Sequence, residues 1–462
     1  MLDRAASSRP RGRPGFSLVE LLVASAIALT VMAGIAQLFS IFGRSFSQSQ
    51  ATVDLGGRLR SAAWQLRQDL AGVTADVVPW VQPESNSGYF ELIEGPDRDS
   101  TYALVSGTVT SDPDADTDDI LLFTTRSAAG PFVGRFGAGT IEAPCAEVAW
   151  FCRAAATQPV QGTTLYNLYR RQLLVVGYVT QAPFSANTVA SGNSAGIIPP
   201  AVPSGTSTPA HDVSLRTVGS TLVPNTLADL TKRENRFMRN GVYQYGSGPV
   251  VTVSSTAFPY VFPLNASTNR AIPNATFEQT TRDVEDVILT NVVAFDVRVF
   301  DPQAKAQLTS SPSLLPGDPG YNATTAASGT GATGAYVDLG WGGGSPTVIG
   351  GTFPPAGQTA LQSRGMRVSS GAGGATFPAA TYDTWSLHYE TNGIDDDSRL
   401  GVDQGTNGAD DDGDNIPDDA PEWETSPPYP VPLRGIEVRL RCYEPTSRQI
   451  RQITIRHTFI QK

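Results

Sequence analysis

The pattern of hydrophobic and polar positions divides the chain into a helical first part and a strand-rich remainder. From Leu21 to Gly43 no residue is charged, and these 23 residues are enough to span a bilayer as a helix. Farther on, apolar residues recur every three or four positions, which predicts one buried helix face: Leu55, Leu59, Ala62, Leu66 and Leu70. We therefore predict a single helix over 16–72, with 16–43 in the membrane.

After Gly72 the pattern changes to short β-branched and aromatic runs separated by Gly, Pro, Asp and Ser, which is typical of strands and turns. The predicted strands are 119–124, 147–153, 167–176, 243–245, 287–300, 385–389, 435–443 and 449–459. The last two alternate apolar and polar residues around a short polar turn, which indicates a C-terminal hairpin. The predicted fold class is α+β, with the long helix packed on an antiparallel sheet in a head over 73–462.

Two low-complexity insertions interrupt the head. Residues 185–235 are rich in Ala, Ser, Thr and Pro, and residues 303–380 in Gly, Ala, Ser and Thr; both predict long surface loops or disordered segments. They contain a G-x-S-x-G match at 192–196 and a G-x-G-x-x-G match at 329–334. Neither has the flanking strand and helix that its chemistry needs. The three histidines are also far apart, so we expect no enzymatic activity.

Charge is distributed unevenly along the 462 residues. The formal net charge is −11, which argues against nonspecific nucleic-acid binding. Residues 1–15 nevertheless carry four arginines against one aspartate. Positive charge before an uncharged span predicts a cytoplasmic N-terminus, so we expect a single-pass membrane protein whose head lies on the opposite side.

Cysteine usage leaves two interpretations open. Cys145, Cys152 and Cys442 are too few for a disulfide scaffold, and no C-x-x-C pair suggests zinc. One long-range disulfide to Cys442 would leave a free thiol. Alternatively, all three are small buried hydrophobic residues.

The N-terminal segment Gly15-Phe16-Ser17-Leu18-Val19-Glu20 follows a short basic leader, 1–15, and precedes the apolar run. An ordinary signal peptide cut after Gly34-Ile35-Ala36 and a generic anchor are alternative interpretations. The glycine, the aromatic residue after it and the glutamate closely resemble the type IV prepilin cleavage motif. An acid at the start of a membrane span is costly, which suggests that Glu20 has a function.

The resemblance implies a processing pathway. A prepilin peptidase would cut between Gly15 and Phe16 and methylate the new Phe16 amine. Glu20 would then pair with the terminal amine of a neighbouring pilin in the fibre, since a buried charge needs an opposite charge.

The order of the later segments resembles J-type minor pseudopilins (the PulJ/GspJ family) and PilW-type minor pilins. The fragments that carry this resemblance are 66–70, 119–123, 168–171, 293–297 and the terminal hairpin. It implies a minor subunit, held in the inner membrane with a periplasmic head and then assembled near the fibre tip, in a type II secretion pseudopilus or a type IV pilus. The alternative is a calcium-dependent adhesin, or an enzyme, on a prepilin anchor.

An acidic segment at 392–419 repeats with a spacing of 15 residues. Asn-Gly-Ile-Asp-Asp-Asp begins at Asn392, and Asn-Gly-Ala-Asp-Asp-Asp begins at Asn407. Alternating carboxylates with glycine turns resemble the calcium loops of thrombospondin type 3 and EF-hand-like repeats. The predicted Ca²⁺ ligands are Asp410, Asp412, Asp414 and Asp418, with a weaker site at Asp395 and Asp397. The alternative is a solvated acidic loop.

Overall fold

A computed structural model describes the head and the helix that precedes it, in segments. The described residues are 15–78, 81–94, 101–103, 109–111, 116–136, 139–155, 164–177, 212–218, 221–237, 241–244, 250–253, 287–309, 313–316, 318, 320–322, 325–326, 329, 331–342, 361–362, 380–384, 387–395, 400–418, 422–423 and 431–459. They form two compact units, the first ending at Asp54 and the second beginning at Leu55.

A single helix, α1, runs from Leu18 to Ala71, close to the predicted bounds. It is long and apolar enough to cross a membrane, and its most apolar stretch has no buried residue. In the second unit, the predicted face is buried, with all five of its apolar residues at most 3% exposed. The helix ends just before Gly72, which lies so close to the backbone of Arg126 that a Cβ on it would be 2.1 Å from the Arg126 carbonyl oxygen.

The head is built from short strands. In chain order they are β1 Phe90–Ile93, β2 Thr101–Ala103, β3 Val109–Ser111, β4 Ile120–Arg126, β5 Phe132–Phe136, β6 Gly139–Ala143, β7 Cys145–Ala154, β8 Tyr166–Leu174, β9 Leu215–Val218, β10 Thr221–Pro224, β11 Gly241–Gln244, β12 Val250–Val253, β13 Val287–Lys305, β14 Thr333–Val337, β15 Thr381–Asp383, β16 Gly435–Glu444 and β17 Gln449–Thr458.

Nine of these strands form one antiparallel sheet in the order β15-β1-β4-β7-β8-β13-β16-β17, with β14 also paired to β13. The predicted terminal hairpin is confirmed: β16 and β17 pair from Gly435 opposite Thr458 to Glu444 opposite Gln449. The α+β fold class is thus as predicted. Residues 387–390 instead form a 3-10 helix, so the strand predicted at 385–389 is wrong; five alternating residues are too few to distinguish the two.

One face of the sheet packs on the second half of α1. Leu59, Leu66 and Leu70 share a hydrophobic cluster with Phe123 and Trp150 of the central strands. Burying each such side chain contributes about 1.5–3 kcal/mol, so this contact accounts for much of the stability of the head.

A buried ion pair fixes the end of the helix to the sheet. The carboxylate of Asp69 accepts bonds from Nε and Nη2 of Arg170, at 2.7 and 2.8 Å, and from Nε1 of Trp150 at 3.0 Å. Asp69 is 2% exposed. The pair joins two of the fragments that carry the pseudopilin resemblance.

The opposite face of the sheet is covered by residues 212–218 and 221–237, which corrects the expectation of a surface loop for this part of 185–235; residues 185–211 lie outside the described residues. Leu227, Leu230 and Phe237 pack on Ile120 and Phe151. Burial on both faces explains why β4 is a continuous apolar run and not an alternating one.

Charged side chains hold this covering segment in place. Arg236 is fully buried, pairs with Asp383 at 2.8 Å and Glu91 at 3.2 Å, and lies 4.1 Å over the ring of Tyr89. Arg233 also pairs with Asp383. These bonds link sequence positions about 150 residues apart.

Parts of the second insertion, 303–380, also belong to the head and not to a surface loop. Strand β14 pairs with β13, and Val337, Leu339 and Leu361 are at most 3% exposed. A few apolar residues in a Gly-rich segment are enough to bring it into the core.

Candidate functional site

The described chain begins at Gly15, directly before α1, and its first turn is closed by a capping box. The N–H of Ser17 donates to Oε2 of Glu20 at 2.9 Å, and the N–H of Glu20 donates to Oγ of Ser17 at 3.1 Å. This reciprocal pair satisfies two N–H groups that a helix start leaves without partners. Glu20 therefore caps its own helix within one subunit, a role that the sequence analysis did not assign to it.

The surroundings of the predicted cleavage junction are open. A Cβ placed on Gly15 would meet no atom within 4 Å, and Phe16 is 88% exposed. The apolar side chains along the following helix are exposed as well, including Leu21, Ile27 and Phe39. An exposed apolar helix of this length is typical of a segment that lies in lipid or in a bundle of like helices.

Comparison with known proteins identifies this segment. Residues 10–36 match the family model described as the prokaryotic N-terminal methylation motif. The chain has a prepilin-type N-terminus. Neither a curated protein nor a solved structure matches the chain. The prepilin-type motif implies processing by prepilin peptidase, and together with the exposed apolar helix it supports a membrane-anchored subunit of the pilin or pseudopilin type.

In the head of this prepilin-type chain, the acidic segment folds into two similar turns. In each, an asparagine side chain accepts the N–H two residues later at 2.7 Å, and a glycine N–H donates to an aspartate ten residues later. The first turn uses Asn392, Ile394, Gly393 and Asp403, and the second uses Asn407, Ala409, Gly408 and Asp418. The sequence repeat is therefore also a structural repeat.

Asp410 organises the second turn. Its carboxylate accepts N–H groups from Gly413, Asp414 and Asn415 at 2.7 to 3.1 Å. Asn415 has φ of 74°, a conformation that asparagine tolerates better than most residues. An aspartate that accepts several N–H groups of its own loop is pre-oriented for a cation.

Glu422 completes the arrangement from outside the repeat. One of its oxygens, Oε1, accepts the N–H groups of Asp411 and Asp412. Glu422 is fully buried, and Oε2 has no hydrogen-bond partner among the described residues. Carboxylate oxygens of Asp410, Asp412 and Glu422 lie within 4.8 Å of one another. Two oxygens on opposite sides of one Ca²⁺, each at about 2.4 Å, are separated by about that distance.

The four predicted ligands thus separate into two pairs. Asp410 and Asp412 lie together with Glu422, whereas Asp414 and Asp418 accept N–H groups of Ile416 and Gly408 and are not in the three-carboxylate group. Glu422 was not predicted because it lies twelve residues beyond Asp410, one position past the twelfth place of an EF-hand loop. Its burial is the feature that identifies it.

The first turn is described only in part. Asp395 occupies the place of Asp410 and has one oxygen, Oδ1, without a partner in the part of the chain that the structure describes. Asp397 lies outside the described residues.

Cys145, Cys152 and Cys442 form no disulfide and all three are buried, so the interpretation as small buried hydrophobic residues is the one that the structure favours. Burial raises the pKa of Cys442 to about 12 and also raises the pKa of Cys145.

Proposed function

We propose that the chain is a minor pilin or pseudopilin, of the J-type or PilW type, that is cut between Gly15 and Phe16 and assembled near the tip of a fibre. Its role is structural and not catalytic. The fibre is a type II secretion pseudopilus or a type IV pilus, and the partners are other pilins that contact it through α1.

The observation that carries this proposal is the combination at the helix start. A methylation motif, an open Gly15–Phe16 junction and an apolar helix with exposed side chains occur together. In a fibre, the helix would exchange lipid for neighbouring helices. The carboxylate of Glu20, which lies in the first turn of α1, would then come close to the terminal amine of another subunit.

The proposal is tested by blocking cleavage. Gly15→Ala should leave the fold unchanged, since nothing lies within 4 Å of the new Cβ. We expect it to slow conversion of the precursor to the shorter mature form, measured by immunoblot in cells with prepilin peptidase. The matched control is Gly34→Ala, which also meets no atom within 4 Å and lies at the alternative signal-peptidase site. Slower processing of Gly34→Ala, with normal processing of Gly15→Ala, would contradict the proposal.

A second candidate function is a calcium-dependent adhesive head on the same anchor. The specific observation that favours it is the buried oxygen of Glu422 that has no partner among the described residues and lies beside Asp410 and Asp412. Clustered carboxylates repel one another without a cation, and a cation that binds only the folded state stabilises it. The stabilisation is about 2.7 kcal/mol at a hundredfold excess of calcium over Kd.

The calcium site is tested by melting the full chain, in detergent, with calcium or with EGTA. We expect a higher melting temperature in calcium, and we expect Glu422→Gln and Asp412→Asn each to remove most of the difference. Asp418→Asn is the matched control, because Asp418 lies outside the three-carboxylate group. This variant should keep most of the difference in melting temperature between calcium and EGTA. An unchanged melting temperature, with no calcium bound by calorimetry, would show a solvated acidic loop.

A further inference from the structure

A second group of carboxylates, two of them buried and one half-buried, lies in the core of the head where β1 and β4 meet. Glu94 directly follows β1, and Asp119 directly precedes β4. Since Ile93 pairs with Ile120 across the antiparallel strands, Glu94 and Asp119 are the next neighbours in the same register. The topology therefore places two acids side by side.

Residues 116–119, the segment that leads into β4, lie against an open edge of β13. Strand β8 pairs with β13 as far as Val292, and β14 pairs with it from Val299 onward. Between them, the N–H of Phe295 donates to the carbonyl oxygen of Asp116 at 2.6 Å, and the N–H of Val297 donates to Oδ2 of Asp119 at 2.5 Å. Residues 116–119 thus supply acceptors for strand N–H groups that would otherwise be unpaired.

The same segment brings together more carboxylate oxygens than the N–H groups of Phe295 and Val297 can use. Oxygens of Glu94, Asp116 and Asp119 lie within 4.8 Å of one another. Asp119 is 1% exposed, and its Oδ1 has no hydrogen-bond partner in the described ranges. Both side-chain oxygens of the adjacent Asp118, which is 6% exposed, also lack a partner there.

The guanidinium of Arg298 is shared among several acids, and the charge of Glu94 is one of those that act on it. Arg298 contacts Asp296 at 3.0 Å and Asp338 at 3.1 Å, so it already faces two carboxylates. Ionised carboxylates at such a site need a counter-ion, because isolated buried charges are costly.

We propose that Glu94, Asp116 and Asp119 form a second, buried divalent-cation site, with Asp118 beside it, and that calcium is its ion. All the available ligands are oxygens, which hard cations prefer, and their spacing suits the bond lengths and flexible geometry of calcium. The ion would join the β1–β4 end to the edge of β13. It would therefore stabilise the head independently of the acidic turns at its surface.

The first measurement separates this site from the surface turn. The full chain carrying both Asp412→Asn and Glu422→Gln, in detergent, is equilibrated with calcium, passed through gel filtration and analysed for metal by mass spectrometry. We expect one retained calcium per chain and a higher melting temperature in calcium than in EGTA. No retained calcium and no melting difference would overturn the proposal, whatever the wild-type chain does at its surface turn.

The second measurement assigns the ligands. Adding Asp116→Asn to that background should abolish both the retained calcium and the melting difference, while Asp76→Asn, at an exposed aspartate, should keep both. Glu94→Gln serves in place of Asp116→Asn if that variant does not fold. If either folded variant keeps its calcium, the ligand assignment is wrong. Preferential retention of magnesium or manganese would overturn the assignment to calcium.

Discussion

Replacing Asp69 with alanine should release the end of α1 from the sheet. The change removes the charged partner of Arg170, whose side chain is 10% exposed and keeps only its bond to Oε1 of Gln172 among the contacts described, and it removes the acceptor of the indole N–H of the fully buried Trp150. Neither group reaches bulk water easily in the folded head. The substitution therefore leaves a charge and a donor buried without Asp69.

The expected loss follows from these contacts. Breaking a buried ion pair costs about 3–5 kcal/mol, and leaving a buried donor unsatisfied costs about 1–3 kcal/mol. The two terms share one carboxylate and are not additive, so we expect Asp69→Ala to lower the free energy of unfolding by about 4 kcal/mol. Asp69→Asn keeps an oxygen for Trp150 but loses the charge, and should cost about 2–3 kcal/mol.

Urea unfolding of the full chain in detergent, followed by tryptophan fluorescence, measures this loss; Trp150 is one of six tryptophans that contribute to the signal. The matched control is Asp76→Ala, the same chemical change at an exposed position, which should change stability by no more than about 0.5 kcal/mol. If Asp69→Ala unfolds at the same urea concentration as Asp76→Ala, with an unchanged slope, the ion pair does not fix the helix to the sheet.

Three further predictions concern the helix start, acid stability and the thiols. Glu20→Ala and Glu20→Gln should both insert into the membrane but fail to enter fibres, measured by shearing and immunoblot. Glutamine keeps the capping box. Normal incorporation of Glu20→Gln would therefore show that assembly needs the cap and not the charge. Burial raises the pKa of Asp383, but the charges of Arg236 and Arg233 outweigh it and lower the pKa below 3.8. The stability that Asp383 contributes is therefore present above about pH 4 and lost as the pH falls further. Below that pH, the urea concentration at the unfolding midpoint should fall more steeply in the wild type than in Asp383→Asn. Because burial raises the pKa of Cys442 to about 12, iodoacetamide at pH 8 should label it only after unfolding, and rapid labelling of the folded protein would contradict its burial.

The parts of the fold that could be predicted are those with local causes. The uncharged run, the stripe from Leu55 to Leu70 and the alternation in β16 and β17 depend on residues close in sequence. The capping box is also local, since Ser17 and Glu20 are three residues apart, and it could have been found from the S-x-x-E pattern.

The parts that could not be predicted depend on distant partners. Arg233 lies at the end of the low-complexity segment 185–235 and Arg236 lies directly after it, and both look solvent-exposed in the sequence. They are buried because Asp383, far along the chain, pairs with both of them. The composition of a segment predicts its polarity, but it does not predict which charged residues from distant parts of the chain will pair with it.

The two carboxylate groups show the same limit. The acidic repeat is visible in the sequence, yet its third carboxylate, Glu422, lies outside it. Likewise, the alternation of aspartates from Asp112 to Asp118 is visible. The placement of Asp116 and Asp119 depends on the open edge of β13 near Phe295 and Val297, which only the sheet register reveals.

The claim that this is a prepilin-type subunit is tested most directly by the N-terminal residue of the mature protein. Peptide mass spectrometry of the protein from sheared fibres, or from membranes of cells with prepilin peptidase, should find a chain that begins at Phe16 with a methyl group on its amine. A chain that begins at Gln37, as cleavage after Ala36 would give, or that still begins at Met1, would contradict the claim.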